Sequence, residues 1–115
     1  MVQKAARSSC CFGPRLREAR ERLGLPQDKL GVMIGLDEGC SSARISRYET
    51  GVHEPAFDIA RKLARVLGIP VTYFYCEDDW LADILLRLNQ LSSEQRNELN
   101  EWLDHVAELE AAQLP

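Results

Sequence analysis

Four of the seven glycines divide the first 70 residues of this chain into short segments. Gly24, Gly35, Gly51 and Gly68 each follow a stretch whose apolar residues recur at helical spacing. Glycine is favoured immediately after a helix because it adopts the left-handed backbone conformation without a steric penalty. The pattern therefore predicts four short helices that end near these glycines and bury their apolar faces against one another.

The four predicted helices span residues 15–23, 27–34, 43–50 and 55–67, the last of them opened by Pro55. In the third helix, Ile45 and Tyr48 are predicted to face the core. Residues 37–41 are predicted to form a turn before it, in which Ser41 or Ser42 caps the helix.

Helices are also predicted after Gly68. Residues 71–75 could form a strand by propensity, but the chain offers no partner strand, so a short helical turn is predicted. A fifth helix is predicted at residues 79–89, with the apolar residues Leu81, Ile84, Leu85 and Leu88 on one side. The sequence Ser92-x-x-Gln95 matches a capping box and predicts a final helix over residues 93–111. We therefore predict an all-α fold of four to five helices with a C-terminal helical segment.

The net charge of −4 hides a division between the two parts of the chain. Residues 1–75 carry twelve Lys and Arg against eight Asp and Glu, whereas residues 76–115 carry two against ten. Binding of phosphates depends on the local field rather than the total charge. The division favours a DNA-facing front part and an acidic part that is kept away from DNA.

The cysteines and histidines form no recognisable metal pattern. Cys10, Cys11, Cys40 and Cys76 include no Cys-x-x-Cys pair, and two histidines do not complete a zinc site. We expect four reduced thiols and no metal or other cofactor. The alternative is a redox or metal sensor that uses Cys40, beside the predicted third helix.

Other function classes find no support in the sequence. No apolar run approaches the roughly 18 residues needed to cross a bilayer. The first twelve residues lack the apolar core of a secretory signal. A cytoplasmic protein that does not bind a membrane is therefore expected. No Ser/His/Asp, Cys/His or paired-carboxylate arrangement survives the helical assignment, so no catalytic residue is assigned and an enzyme is not expected.

Several spaced motifs in residues 14–75, about half of the chain, resemble those of the Xre/Cro-type, phage-repressor-like family of helix-turn-helix transcriptional regulators. The matching stretches are residues 17–20 (Arg-Glu-Ala-Arg), residues 25–31, Gly35-Leu36, residues 45–51 (Ile-Ser-Arg-Tyr-Glu-Thr-Gly), and Pro55 with residues 60–68. The resemblance implies a regulator, expected to be a repressor, that places a recognition helix, residues 42–49, in the major groove of operator DNA.

The outward face of that helix carries the candidate DNA contacts. Because Ile45 points into the core, short or basic side chains face outward and can enter the major groove. They are Ser42, Ala43, Arg44, Ser46 and Arg47. Gln27, at the start of the second helix, is placed to bond a phosphate. Further candidates for phosphate contacts are Arg15, Arg17, Lys29 and Ser41.

Three other residues of this motif are expected to have structural roles. Gly31 should allow the second and third helices to approach closely, because it has no side chain. Tyr48 is expected to pack in the core, and Glu49 to form an intramolecular salt bridge or cap.

The sequence departs from the family pattern at three places. Pro26 and Ala56 stand where capping serines are common. The turn between Gly35 and Ile45 is about four residues longer than the family norm, and the added residues, 37–40, carry two negative charges. They could shift the recognition helix, contact the DNA backbone through Gly39 alone, or disfavour some DNA sites.

We expect three parts: a flexible arm over residues 1–12, a DNA-binding domain over residues 13–75 and a C-terminal helical segment over residues 76–115. The last is expected to form a homodimer, because dimers of this motif bind two half-sites. Its candidate interface residues are Trp80, Ile84, Leu88, Leu99, Trp102, Leu103 and Val106. Alternatively, the segment folds back on its own domain, or holds a partner protein as an antitoxin or adaptor does.

Overall fold

The computed structural model describes residues 11–113, a range that contains helices and loops but no strand. The helices are α1 (Phe12–Arg22), α2 (Gln27–Met33), α3 (Glu38–Thr50), α4 (Phe57–Leu67), α5 (Asp79–Asn89) and α6 (Ser93–Gln113), with a 3₁₀ turn (Val71–Tyr75) between α4 and α5. The predicted all-α fold is confirmed, as are the short helical turn at 71–75 and the bounds of the fifth helix.

The four glycines end the helices as predicted. Gly24, Gly35, Gly51 and Gly68 have φ values between +66° and +100°, in the left-handed region that side chains with a Cβ avoid. Each lies just after one of the first four helices. The positions where the chain reverses are therefore set by local backbone sterics.

The core lies between α1, α2, α3, α4 and the 3₁₀ turn. It is built from fully buried residues of each element: Leu16, Leu30, Ile45, Leu63, Tyr73 and Phe74. Phe12 is 2% exposed, and its ring centroid lies 4.7 Å from that of Phe74. The expected arm over residues 1–12 is therefore wrong at Phe12, because this ring fills the core beside the 3₁₀ turn; residues 1–10 lie outside the described part of the chain.

Helices α2 and α3 cross where Gly31 meets Ser41. A Cβ on Gly31 would overlap the Ser41 hydroxyl, so glycine is required at this crossing, as predicted. Ser41 is fully buried, and its hydroxyl donates to the carbonyl of Asp28 at 2.5 Å. Ser41 therefore neither caps α3 nor reaches a phosphate, and both expectations for it were wrong.

The predicted turn over residues 37–41 is instead the start of α3. The helix begins at Glu38, and Asp37 occupies the N-cap position without a side-chain cap bond. Three of the four added residues, 38–40, therefore lengthen the third helix by nearly one turn. They lie on the N-terminal side of Ser41, the residue that holds α3 against α2.

Helix α5 packs through a different face from the one predicted. Ala82 is 1% exposed and Leu86 packs on the core, whereas Leu81 is 42% exposed. The predicted face was chosen for its leucines. The buried residue of α5 is the small Ala82, and the helix packs on the 3₁₀ turn.

Helix α6 begins with the predicted capping box. The backbone N–H of Gln95 donates to Ser92 Oγ, and the backbone N–H of Ser92 donates to Gln95 Oε1. None of its residues is buried. Trp102 on α6 and Trp80 on α5 are 60% and 70% exposed, so neither belongs to the core. Among the described helices, none combines the length and apolar character needed to cross a membrane.

Gly31→Ala is expected to destabilise the fold. Overpacking costs about 1–3 kcal/mol, and the gain of about 1 kcal/mol in helix propensity offsets only part of it. Urea unfolding of both proteins measures the loss. Gly39→Ala is the matched control, because a Cβ at this glycine of α3 meets nothing within 4 Å, so it should be neutral or stabilising. Equal stabilities for the two variants would contradict the crossing geometry.

Candidate nucleic-acid interface

One side of α3 is buried and holds the helix in place. Ser41, Ile45 and Tyr48 are 0%, 0% and 5% exposed, and they recur at the spacing of one helical face. The burial predicted for Ile45 and Tyr48 is confirmed. The orientation of α3 is thereby fixed from its second turn to its end.

The opposite side of α3 faces solvent. Helical periodicity places Gly39, Ala43, Ser46 and Thr50 along the line opposite the buried residues. Of these, Ser46 is half-buried and the others are exposed. A row of such small groups allows a helix backbone to approach another molecule closely.

Two arginines lie together on one side of this row of small residues. Arg44 and Arg47 are both exposed. The hydrogen bond to Tyr48, followed by the charge of Tyr48, raises the pKa of Arg44. Among the described residues, Arg47 has no side-chain hydrogen bond or ion pair. Both cations are therefore available to a ligand beside α3.

A buried ion pair joins the end of α3 to α1. Arg20 Nε and Nη2 donate to Glu49 Oε2 and Oε1 at 2.6 and 3.1 Å, and the side chains are only 12% and 4% exposed. The hydrogen bond to Glu49 is the main reason why the pKa of Arg20 is raised, although burial opposes it. The intramolecular role expected for Glu49 is confirmed.

Polar bonds extend from this ion pair to the start of α2. Arg20 Nη1 donates to the Leu25 carbonyl at 3.0 Å, and Gln27 Nε2 donates to Glu49 Oε1 at 3.0 Å. Ser42 Oγ in turn donates to Gln27 Oε1 at 3.3 Å. An amide NH₂ has two donor hydrogens, so Gln27 retains one for an external acceptor. The network ties α1, α2 and α3 around the outward face.

The expected phosphate contacts differ in their surroundings. Arg17 is exposed and pairs with Glu21 at 3.0 Å, and Lys29 is exposed on α2. Arg15 is not available, because its side chain is 11% exposed and is bonded to the segment before α5. The expectation of a phosphate contact for Arg15 is therefore wrong.

The first turn of α3 adds residues that the sequence had placed in a turn. Glu38, Gly39 and Cys40 are exposed on the same helix as Ser42 and Ala43. Asp37 is a residue type that often precedes a helix, but it makes no side-chain cap bond here, so this local signal alone does not locate the start. The outward surface of α3 is thus longer, and more acidic at its N-terminal end, than predicted.

Comparison with known proteins defines the class to which this arrangement belongs. A helix-turn-helix family model matches residues 16–74, which is half of the chain, and the chain belongs to this family of transcriptional regulators, of the Xre/Cro type. The family resemblance inferred from the sequence motifs is confirmed.

Individual relatives match different lengths of the chain. Two curated proteins described as uncharacterized HTH-type transcriptional regulators, from Sinorhizobium medicae (strain WSM419) and Rhizobium meliloti (strain 1021), are each 30% identical over 63 residues. The match spans 55% of this chain but only 42% of theirs, so it covers less than half of the relatives.

A solved structure matches more of the chain. The crystal structure of the transcriptional regulator BswR aligns with a TM-score of 0.78 at 39% identity, over 81% of this chain and 92% of that one. The alignment is longer than the family match, so it extends into the helices that follow the helix-turn-helix.

Glu49→Gln is expected to lower the free energy of unfolding by about 3 kcal/mol, the lower end for breaking a buried ion pair, because Arg20 would be left as an unpaired, mostly buried cation. Urea unfolding measures the change. Glu21→Gln is the matched control: it breaks the exposed pair with Arg17, and should cost about 0.5 kcal/mol or less. A similar small loss in both variants would show that the Arg20–Glu49 pair does not hold α3.

Proposed function

We propose that this protein is a sequence-specific DNA-binding repressor that binds operator DNA as a homodimer. One observation carries the proposal: the buried face of α3 fixes that helix so that small and basic side chains occupy its outer face. An α-helix of this kind fits the major groove of B-DNA. Membership of the helix-turn-helix family supports the same function.

The contacts to DNA divide into two groups. We assign base contacts to Arg44 and Arg47, whose guanidinium groups can donate to guanine O6 and N7. Ser42, Ala43 and Ser46 lie beside these arginines on α3, where their small size keeps the helix close to the bases. Gln27, Arg17 and Lys29 are assigned to phosphates.

The first turn of α3 is assigned to selection against unsuitable sites. Asp37 and Glu38 are exposed at the end of α3 whose residues contact base edges in such motifs. Two carboxylates near phosphates are repelled by them, whereas a cytosine amino group can donate to a carboxylate. Gly39, with open space where a Cβ would lie, leaves room for the backbone of α3 to approach DNA.

Residues 76–115 are assigned to dimerisation. Trp80, Trp102, Leu103 and Val106 are 70%, 60%, 47% and 37% exposed, far more apolar surface than solvated helices usually carry. The remaining interface candidates, Ile84, Leu88 and Leu99, are half-buried. A second copy of α6 would cover this surface, and two copies of α3 could then bind two half-sites of an operator in the cytoplasm.

A second candidate function rests on the same apolar surface. An antitoxin or adaptor would use α6 to hold a different protein. The exposed stripe on α6 favours this alternative as much as it favours dimerisation, whereas the outward face of α3 favours only the first. The two functions are compatible in one chain.

Arg44→Ala and Arg47→Ala are each expected to weaken specific binding by about 1–3 kcal/mol, since each removes one base contact. Operator sites are first selected from random DNA with the wild-type protein, and binding is then measured by fluorescence anisotropy at several salt concentrations. Arg87→Ala is the control: it removes an exposed arginine of the acidic part, which pairs with Asp83 at 3.0 Å, and should leave affinity unchanged. Equal affinities for all four proteins would overturn the assignment.

Leu103→Glu is expected to convert a dimer into a monomer, because it places a charge in the middle of the apolar stripe of α6. Its 47% exposure means that the fold itself should tolerate the change. Sedimentation equilibrium measures the mass, with Glu101→Gln, a change of another exposed residue of α6, as control. A monomeric wild-type protein would reject the dimer, and a second protein bound by the wild type but not by Leu103→Glu would support the adaptor.

A further inference from the structure

Arg15 of α1 reaches across to the segment that leads into α5. Its Nε donates to the Cys76 carbonyl at 2.9 Å, and its Nη2 donates to the Glu77 carbonyl at 3.3 Å and to Asp79 Oδ1 at 2.9 Å. The guanidinium carbon also lies 5.5 Å from the centre of the Tyr73 ring. One side chain thus contacts four residues of the connection between the two halves of the chain.

Only one of these bonds is protected from water: the bond to the Cys76 carbonyl is partly buried, whereas the bonds to Glu77 and Asp79 are exposed. The Arg15 side chain is 11% exposed, whereas that of Asp79 is 94% exposed. An ion pair to so exposed a carboxylate contributes little. The two backbone carbonyls therefore set the orientation of the 76–79 segment relative to α1. A planar guanidinium can donate to both of them only at one angle.

Few other contacts hold α5 in place. Ala82 is its buried residue, and Leu86 packs on the core from one turn further along. At the far end, Asn89 Nδ2 donates to the Gly68 carbonyl at 3.1 Å. A helix held by Ala82, Leu86 and one exposed hydrogen bond can pivot, unless its first turn is fixed.

The orientation of α5 is passed on to α6. Three residues separate the two helices, and the Ser92–Gln95 capping box fixes the first turn of α6. Leu88 and Leu99 line the cleft between the two helices. The direction of α6 relative to α3 therefore depends on the angle at which α5 leaves the segment bonded to Arg15.

We infer that Arg15 is a positioning residue that sets the distance and rotation between the two DNA-reading helices of the dimer, and so determines which half-site spacing the protein accepts. The inference rests on the proposed homodimer. Two copies of α6 joined in a dimer place two copies of α3 at a separation that the angle of α5 controls. Each added base pair moves a half-site along the DNA by about 3.4 Å and rotates it by roughly a tenth of a turn.

A merely stabilising role for Arg15 predicts a different result. Loss of stability lowers the fraction of folded protein and weakens binding to every site equally. Loss of positioning leaves binding to a single half-site unchanged, and reduces the preference for one spacing. The dependence of affinity on spacing therefore separates the two roles.

The test uses the full chain and a series of duplexes that carry the selected half-sites at the preferred spacing and with one to five base pairs added. Arg15→Met keeps an unbranched aliphatic side chain and removes the donors. Arg15→Lys keeps the stem and the charge without the planar fork, and serves if Arg15→Met does not fold. Arg87→Met removes the same charge from an exposed position on α5 and is the control.

We expect the wild type and Arg87→Met to lose at least about tenfold in affinity when the spacing is wrong, since simultaneous engagement of both half-sites is then lost. Arg15→Met and Arg15→Lys should differ by less than about threefold across the series, at unchanged single half-site affinity. If both Arg15 variants kept the spacing preference of the wild type, the inference about Arg15 would be overturned, but the proposed dimer would stand. A wild-type protein without any spacing preference would overturn the proposed dimer, and the inference with it.

Discussion

The buried ion pair between Arg20 and Glu49 is the interaction on which the rest of the front domain depends. Taking both charges out of water is costly, and the cost is offset only when the geometry is good and the remaining polar atoms are bonded. Here Arg20 also bonds the Leu25 carbonyl and Glu49 also accepts from Gln27. Apolar packing alone tolerates small rotations of a helix, whereas these directional bonds do not. They hold α3 at one angle to α1 and α2.

A comparable arrangement with weaker bonds connects the two halves of the chain. Arg15 bonds backbone carbonyls of the 76–79 segment. Burial acts most strongly on its pKa and lowers it, but the hydrogen bond and charge of Asp79, with the charges of Tyr73 and Glu18, together outweigh burial, so the pKa of Arg15 is raised. One arginine of α1 thus orients α3 and another orients α5. The front part of the chain is basic and the back part is acidic, but α1 contacts both of them through its arginines.

Local patterns in the sequence predicted most of the fold. The ends of the first four helices followed from glycines, and the start of α6 followed from Ser92 and Gln95, because both depend on bonds within a few residues. The face of α5 and the start of α3 could not be obtained in this way. Ala82 is buried and Leu81 exposed because α5 packs on the 3₁₀ turn, a contact that its own sequence does not specify. Of the candidate DNA contacts, Ser41 is removed by burial, and Arg15 is removed by its bonds to the 76–79 segment.

The sequence by itself determined the all-α class, the helix-turn-helix family and the outward placement of Arg44 and Arg47, because periodicity and spaced motifs are properties of short stretches of chain. Only the tertiary structure decided that residues 38–40 are helical and that Arg15 faces inward. The physical reason is the same for both. Each depends on a contact between residues that are distant in sequence, Ser41 with Asp28 and Arg15 with Cys76, and no local pattern specifies such a pairing.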